Sequence, residues 1–231
     1  MKVAVITGGS KGIGYSVAES LLKEGYCVAI TSRNIESANK AAEKLVAFGD
    51  VLAIEADVKD YQSQQDAINL VIEKWGQIDV LIANAGVGNF ASIEELSIDD
   101  WNETIDTNLT GVFYSIKASL DAIKKTKGYI FTISSLAGTN FFAGGSAYNA
   151  SKFGLTGFTQ AVMLDLRKHG IKVSTIMPGS VATYFNDHQP DQEKDSWKIQ
   201  PEDIGELVVS MLKMPARTLP SKVEIRPTTP Q

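Results

Sequence analysis

Short apolar runs alternate along the whole chain with longer stretches in which apolar residues recur every three or four positions. Residues 2–6, 27–31, 51–56, 79–83, 129–133 and 172–177 form runs too short for a buried helix, and they read as strands covered on both faces. Residues 222–226 add a last strand at an edge. Between them lie helical patterns. The first, over residues 12–24, places Val17, Ala18, Leu21 and Leu22 on one face and closes at Gly25. Others run from Asn34 to Gly49, from Ser63 to Gly76, from Ser97 onward, from the region of Tyr148 to Gly170, and from Pro201 to Met214. Residues 111–123 are apolar nearly all round, which predicts burial against a second subunit as well as the sheet. Strand and helix in regular alternation predict an α/β domain, a mostly parallel sheet of about seven strands with helices on both faces.

With 231 residues and 44% apolar content, one domain spanning residues 1–231 accounts for the length, and no linker breaks it. The net charge of −5 with scattered basic residues excludes a nucleic-acid-binding face. The single cysteine, Cys27, permits no intramolecular disulfide and suits a reducing cytosol. His169 and His188 form no metal-ligand pattern, so no metal is expected. A strand at residues 2–6 leaves no room for a leader, and no run reaches membrane-spanning length, so a cytoplasmic location is expected.

Residues 7–14 read Thr-Gly-Gly-Ser-Lys-Gly-Ile-Gly, between the first strand and the first helix. Strand, glycine turn and helix make the layout of a dinucleotide site, as in a Rossmann fold. Bare glycines let a pyrophosphate approach, and the helix amino terminus offers free N–H groups and a positive dipole end. Gly8, Ser10, Lys11, Gly12, Ile13 and Gly14 are the candidate residues. After the second strand, Ser32 and Arg33 stand where an acid would hold the adenosine ribose of NAD. Arg33 and Lys11 are suited instead to a 2′-phosphate, and NADP(H) is the expected coenzyme.

Tyr148 and Lys152 are one helical turn apart on a shared face. A cation beside a phenol favours the phenolate, but bringing a pKa of about 10 near neutrality needs about 4 kcal/mol. One exposed lysine supplies less, so a second positive group is expected, and an oxidised nicotinamide would be one. Ser134 and Ser135 fall at the carboxyl end of the strand 129–133, where open α/β sheets bind ligands.

A serine thirteen positions before Tyr-x-x-x-Lys, a glycine-bearing loop between them, and Thr7-Gly8-x-x-x-Gly12-x-Gly14 together resemble the short-chain dehydrogenase/reductase family over nearly the whole chain. That resemblance implies Tyr148 as general acid/base and Ser135 as the hydrogen-bonding partner of the reacting oxygen. Lys152 would lower the Tyr148 pKa and bind the nicotinamide ribose, and Asn108 would support a proton relay where the helix kinks. It also assigns Asp57 and Val58 to the adenine, and Pro178, Gly179 and Val181 to the nicotinamide amide. Thr183 falls to the diphosphate. Asn84-Ala85-Gly86 matches the core of an Asn-Asn-Ala-Gly signature, with Ala83 in its first place.

The implied reaction is NADP(H)-dependent interconversion of an alcohol and a small carbonyl compound. Reduction of a 3-oxoacyl group on acyl carrier protein is a rival, weakened by a short carboxyl end, and a non-catalytic NADP(H) sensor is another. Residues 184–200, polar and holding Pro190, would form a substrate lid, and Phe90 is either a pocket wall or a loop-packing aromatic. A homo-oligomer is expected, a tetramer in preference to a dimer, with no membrane or nucleic-acid partner.

Overall fold

Every position of β1 (Val3–Thr7) is buried, and its side chains feed two layers in turn. Val3 and Val5 join one apolar cluster while Ala4 and Ile6 join the other. This is the strand at the middle of the computed structural model, which describes residues 1–230. Around it lie β2 (Cys27–Ser32), β3 (Val51–Glu55), β4 (Val80–Ala83), β5 (Tyr129–Ile133), β6 (Lys172–Pro178) and β7 (Lys222–Ile225). All pair in parallel, in the order β3-β2-β1-β4-β5-β6-β7. Full burial of an aliphatic side chain such as Ile6 contributes about 1.5 to 3 kcal/mol, so the continuous apolar strands hold both layers to the sheet.

One layer consists of α1 (Gly12–Lys23), α2 (Ile35–Leu45) and α7 (Pro201–Leu212). The other contains α3 (Tyr61–Trp75), α5 (Gly111–Thr126) and α6 (Ser146–Leu166). The expected caps are in place: Asn34 Oδ1 accepts from Ser37 N at 2.7 Å and Ser97 Oγ from Asp100 N at 3.0 Å. Helix α3 begins before the expected Ser63, because Asp60 accepts from Gln62 N at 2.9 Å and caps it earlier.

The region after Ser97 is one long helical path with a flaw inside it. Helix α4 (Ile98–Ile105) passes into a π-turn over Asp106–Thr110, where Gly111 N–H reaches back five residues to Asp106 O, and α5 follows. Gly111 is required there, since a Cβ would lie 2.8 Å from Val58 Cγ2. Helix α5 is not apolar all round. Ser115 and Ser119 sit on its buried face, each bonded at 2.8 Å to the carbonyl four residues back, while Lys117, Asp121 and Lys124 face outward beside the exposed Phe113.

Strand order reverses between β1 and β4, so the loops after their carboxyl ends diverge and open a crevice. The loops after β5 and β6 complete its walls. Among the described residues no helix is long and apolar enough to cross a membrane.

Candidate active site

The glycine loop after β1 is folded onto the loop after β4 by two side chains, each bonded to main chain across the gap. Thr7 Oγ1 accepts from Asn84 N at 3.0 Å and Ala85 N at 3.1 Å, and Asn84 Nδ2 donates back to Thr7 O at 2.9 Å and Gly8 O at 3.0 Å. Gly8 takes φ +65°, and Gly14 has no room for a side chain, since a Cβ would lie 2.5 Å from Gly8 O and 2.6 Å from Asn84 Nδ2. Gly12, at φ +58°, faces Thr183. Neither Lys11 at the N-cap nor any acidic residue in the first turn of α1 takes up its free N–H groups. Amides left uncapped beside bare glycines fit a diphosphate, which is the test a dinucleotide site has to pass.

Gly86 carries this loop to the centre of the crevice. A Cβ on Gly86 would lie 3.2 Å from Asn108 Oδ1 and 3.7 Å from Lys152 Nζ. Asn108 is fully buried in the π-turn: its Oδ1 accepts from Val87 N at 2.8 Å, and its Nδ2 donates to Val87 O at 2.9 Å and Ser151 Oγ at 3.0 Å. With both amide hydrogens committed, it braces the loop against α6.

Tyr148 and Lys152, on the first turns of α6, are both buried. Lys152 Nζ donates to Ile133 O at 2.9 Å and lies 5.7 Å from the centroid of the Tyr148 ring. Ser135 stands near enough to Tyr148 to pull its phenol down, while its Oγ donates to Pro178 O at 3.5 Å and accepts from Ala137 N at 3.1 Å. Burial pushes the Tyr148 phenol up to about 12, against the smaller downward pull of Ser135. Burial also lowers the Lys152 ammonium from 10.5 to about 8. The depressed phenol expected from a Tyr-Lys pair is therefore absent in the chain by itself. Desolvation wins, and the ammonium is spent on a carbonyl.

The other predicted residues fall around this centre in different ways. Ser10 and Ile13 belong to the glycine loop and the start of α1, Ile13 packing against the core. Asp57 has local duties, its Oδ1 accepting from Lys59 N at 2.9 Å, and Val58 is buried against Gly111. Gly179 N donates to Ile225 O at 2.8 Å, tying the loop after Pro178 to β7, and Val181 bridges to Ile199. Ser32 Oγ accepts from Asn34 N at 3.3 Å. Arg33 does not stand free: its Nη1 meets Glu103 Oε1 at 3.0 Å, and Lys59 pairs with the other oxygen of that carboxylate. Lys11 Nζ lies 5.9 Å from the Tyr184 ring.

Sequence reasoning gave no site role to Ser151, Asn149, Glu103 and Lys59, and quoted Thr7 in the glycine motif without its partners in the loop after β4. Asn149 pins the loop after β5, donating to Ala137 O at 2.8 Å and Asn140 O at 2.7 Å. The polar stretch 184–200 is knotted about Asp195, which is 3% exposed and takes His188 Nε2 at 2.6 Å and Lys198 Nζ at 2.6 Å. Those hydrogen bonds, Lys198 first, hold the Asp195 carboxyl well below the usual carboxylate range. Phe90 packs edge-on to Tyr148, ring centroids 5.3 Å apart.

A doubly wound sheet, a glycine cradle at its switch point and a buried Tyr-Lys pair with Ser135 beside that cradle define a dinucleotide-dependent oxidoreductase site. The sequence profile of short chain dehydrogenases matches residues 2–194, and the chain belongs to that family. It is 37% identical over 189 residues to trans-4-hydroxycyclohexanecarboxylate dehydrogenase of Sinomonas cyclohexanicum, covering 79% of this chain and 73% of that protein. It is 32% identical over 236 residues to glycine betaine reductase of Emericella nidulans, and there 98% of this chain spans 19% of the longer protein. Among solved structures, the alcohol dehydrogenase of the archaeon Thermococcus sibiricus complexed with 5-hydroxy-NADP superposes with a TM-score of 0.94. It is 31% identical, with 100% of this chain and 99% of that one covered.

Proposed function

We propose that the chain is an NADP(H)-dependent oxidoreductase that interconverts an alcohol and a ketone or aldehyde, with Tyr148 as the acid/base. The observation that carries this reading is the buried pair of Tyr148 and Lys152 beside the partly exposed Ser135, with Lys152 set against Gly86 of the cradle loop. NADP(H), when bound, supplies or accepts the hydride. Gly8, Gly12, Gly14 and the α1 amides would hold its diphosphate together with Thr183, and Lys152 its nicotinamide ribose. Arg33 and Lys11, with Ser32 in place of an acid, favour NADP(H), as does the NADP derivative in the archaeal neighbour.

In reduction, Ser135 orients the carbonyl oxygen and Tyr148 gives it a proton. A phenol held at about 12 carries that proton throughout the neutral range. In oxidation the phenolate is needed, and positive charge beside Tyr148 has to reverse the effect of burial first. Asn108 acts as a positioning residue for the Val87 segment and α6. Exposed Phe113, Phe153 and Leu164 on the outer helices support a homo-oligomer, and a cytosolic setting suits the lone buried thiol. Following NADPH oxidation with ketones, aldehydes, sugars and oxoacyl thioesters tests the reading. Turnover of one class is expected, and coenzyme binding with no turnover of any would leave a sensor.

A further inference from the structure

Three segments converge over the Tyr148 ring, residues 84–93 after β4, 134–147 after β5 and 178–186 after β6. None of them contains a Lys, Arg, His, Asp or Glu, in a chain of which 21% is charged. Each supplies one phenylalanine to a common cluster. Phe90 lies 5.3 Å from Tyr148 and Phe185 5.7 Å, centroid to centroid, while Phe142 is 5.7 Å from Phe90. The rings meet at steep angles, 76° for Phe90 on Tyr148 and 63° for Phe90 on Phe185, so their edges leave faces unstacked. Phe90, Phe142 and Phe185 are 41%, 48% and 37% exposed, although each sits inside the crevice and against its neighbours. Gly88 lets two of them close in, since a Cβ there would be 2.5 Å from Phe185 Cζ and 3.0 Å from Phe90 Cζ.

The charged groups at the border are already committed. Lys152 donates to Ile133 O, and His188 is bonded to Asp195. Lys11 belongs to the glycine loop and lies against Tyr184. A carboxylate or phosphate on a substrate would lose its water here and gain no cation in return.

We infer that the substrate is an uncharged ring-bearing ketone or aldehyde, its ring held among Phe90, Phe142 and Phe185 and its carbonyl oxygen at Ser135 and Tyr148. This rests on the oxidoreductase reading above and deepens it. The carbonyl takes two electrons as a hydride from NADPH, which leaves as NADP+, so that a C–H bond forms and the C=O π bond becomes the O–H of the alcohol. The proton comes from Tyr148 and is replaced from solvent. Partly exposed aromatic rings offer edge-to-face contacts to another ring.

The test compares acetophenone, methyl 4-acetylbenzoate and 4-acetylbenzoate, which share one skeleton and differ in charge. The expected result is kcat/KM for the two neutral ketones about 30-fold or more above the carboxylate, and a loss of about tenfold for acetophenone in Phe90→Ala. Turnover of the carboxylate within threefold of its methyl ester would overturn the inference and leave the oxidoreductase reading standing. Binding to the NADP+-saturated protein, followed by saturation-transfer NMR, separates the two claims. Ester bound and carboxylate excluded, with no turnover of either, would support the apolar site and defeat the reaction. Equal binding of both would overturn the site.

Discussion

The two walls of the crevice are built from different materials. On the glycine-loop wall, Thr7 and Asn84 side chains clamp main-chain groups by bonds of 2.9 to 3.1 Å, and Gly8 and Gly14 leave no room for a Cβ. On the wall formed by the loops after β5 and β6, Phe142 and Phe185 reach the centre with Phe90 only through ring edges, and each is partly in water. Clamping of main chain by two side chains, with glycines closely packed, tolerates few changes and suits a ligand common to a whole family. Side-chain edges can be exchanged one at a time, so the variable partner belongs on that side. Tyr148, between them, is where both walls act on one oxygen.

The largest test of this division removes the proton at the meeting point. Tyr148→Phe should lower turnover by about 10³-fold, since it deletes a general acid and little volume, with NADPH affinity by fluorescence titration unchanged. Turnover near wild type would move the acid elsewhere. Next is the rigidity of the glycine wall. Gly14→Ala should cost about 3 kcal/mol in urea denaturation, because its Cβ meets a carbonyl and an amide that are bonded to each other. Phe185→Ala on the other wall should cost less than about 1 kcal/mol, and equal losses would erase the contrast.

A smaller effect comes from Lys152, whose charge is buried at a cost. Its folded pKa of about 8 lies below its ordinary 10.5, so between those values the unfolded chain binds more protons. Stability from this group therefore rises with pH across that window and is lowest below pH 8. The cost at pH 7 is about 3 kcal/mol, offset by about 1 kcal/mol from the bond to Ile133 O. Lys152→Met should thus be more stable by about 2 kcal/mol at pH 7 while losing activity, with the gain disappearing above pH 10.5. A variant less stable at pH 7 would show that burial of the ammonium is not penalised.

The smallest effect concerns coenzyme choice at the end of β2. Ser32→Asp with Arg33→Ala should shift the kcat/KM ratio of NADPH to NADH by about tenfold or more towards NADH, through loss of a charge-assisted bond. Because Glu103 already holds Arg33, Glu103→Gln should leave Arg33 freer and move the ratio the other way. A ratio indifferent to all three positions would place phosphate recognition elsewhere.

What was legible in the sequence divides along the same line. Apolar strands carry their own signal, and the glycines of residues 8–14 announce close approach, so the sheet and its cradle could be read directly. The break at Asn108 came only from the family resemblance, because the apolar periodicity from Ser97 to Thr126 runs on through it, and the packing of Gly111 on Val58 shows it to be a π-turn. The partners of Thr7 and Ser151 were missed since they lie 77 and 43 residues away, and no local pattern marks a hydroxyl that will meet such a partner. Arg33 was identified, but its partner Glu103, 70 residues on, was not. The lowered phenol was expected from the lysine together with a second positive group such as an oxidised nicotinamide, and in the chain by itself burial, which spacing does not report, holds the phenol up.

The central claim is that hydride crosses directly to a carbonyl whose oxygen is served by Tyr148. Reduction of acetophenone by NADPH deuterated at the nicotinamide C4, on the transferred face, measures it most directly by mass spectrometry of the alcohol. The account predicts one deuterium on the carbinol carbon with wild-type protein, and product formation about 10³-fold slower with Tyr148→Phe carrying the same label. Product without deuterium, or formed equally fast by Tyr148→Phe under conditions where chemistry limits the rate, would contradict it.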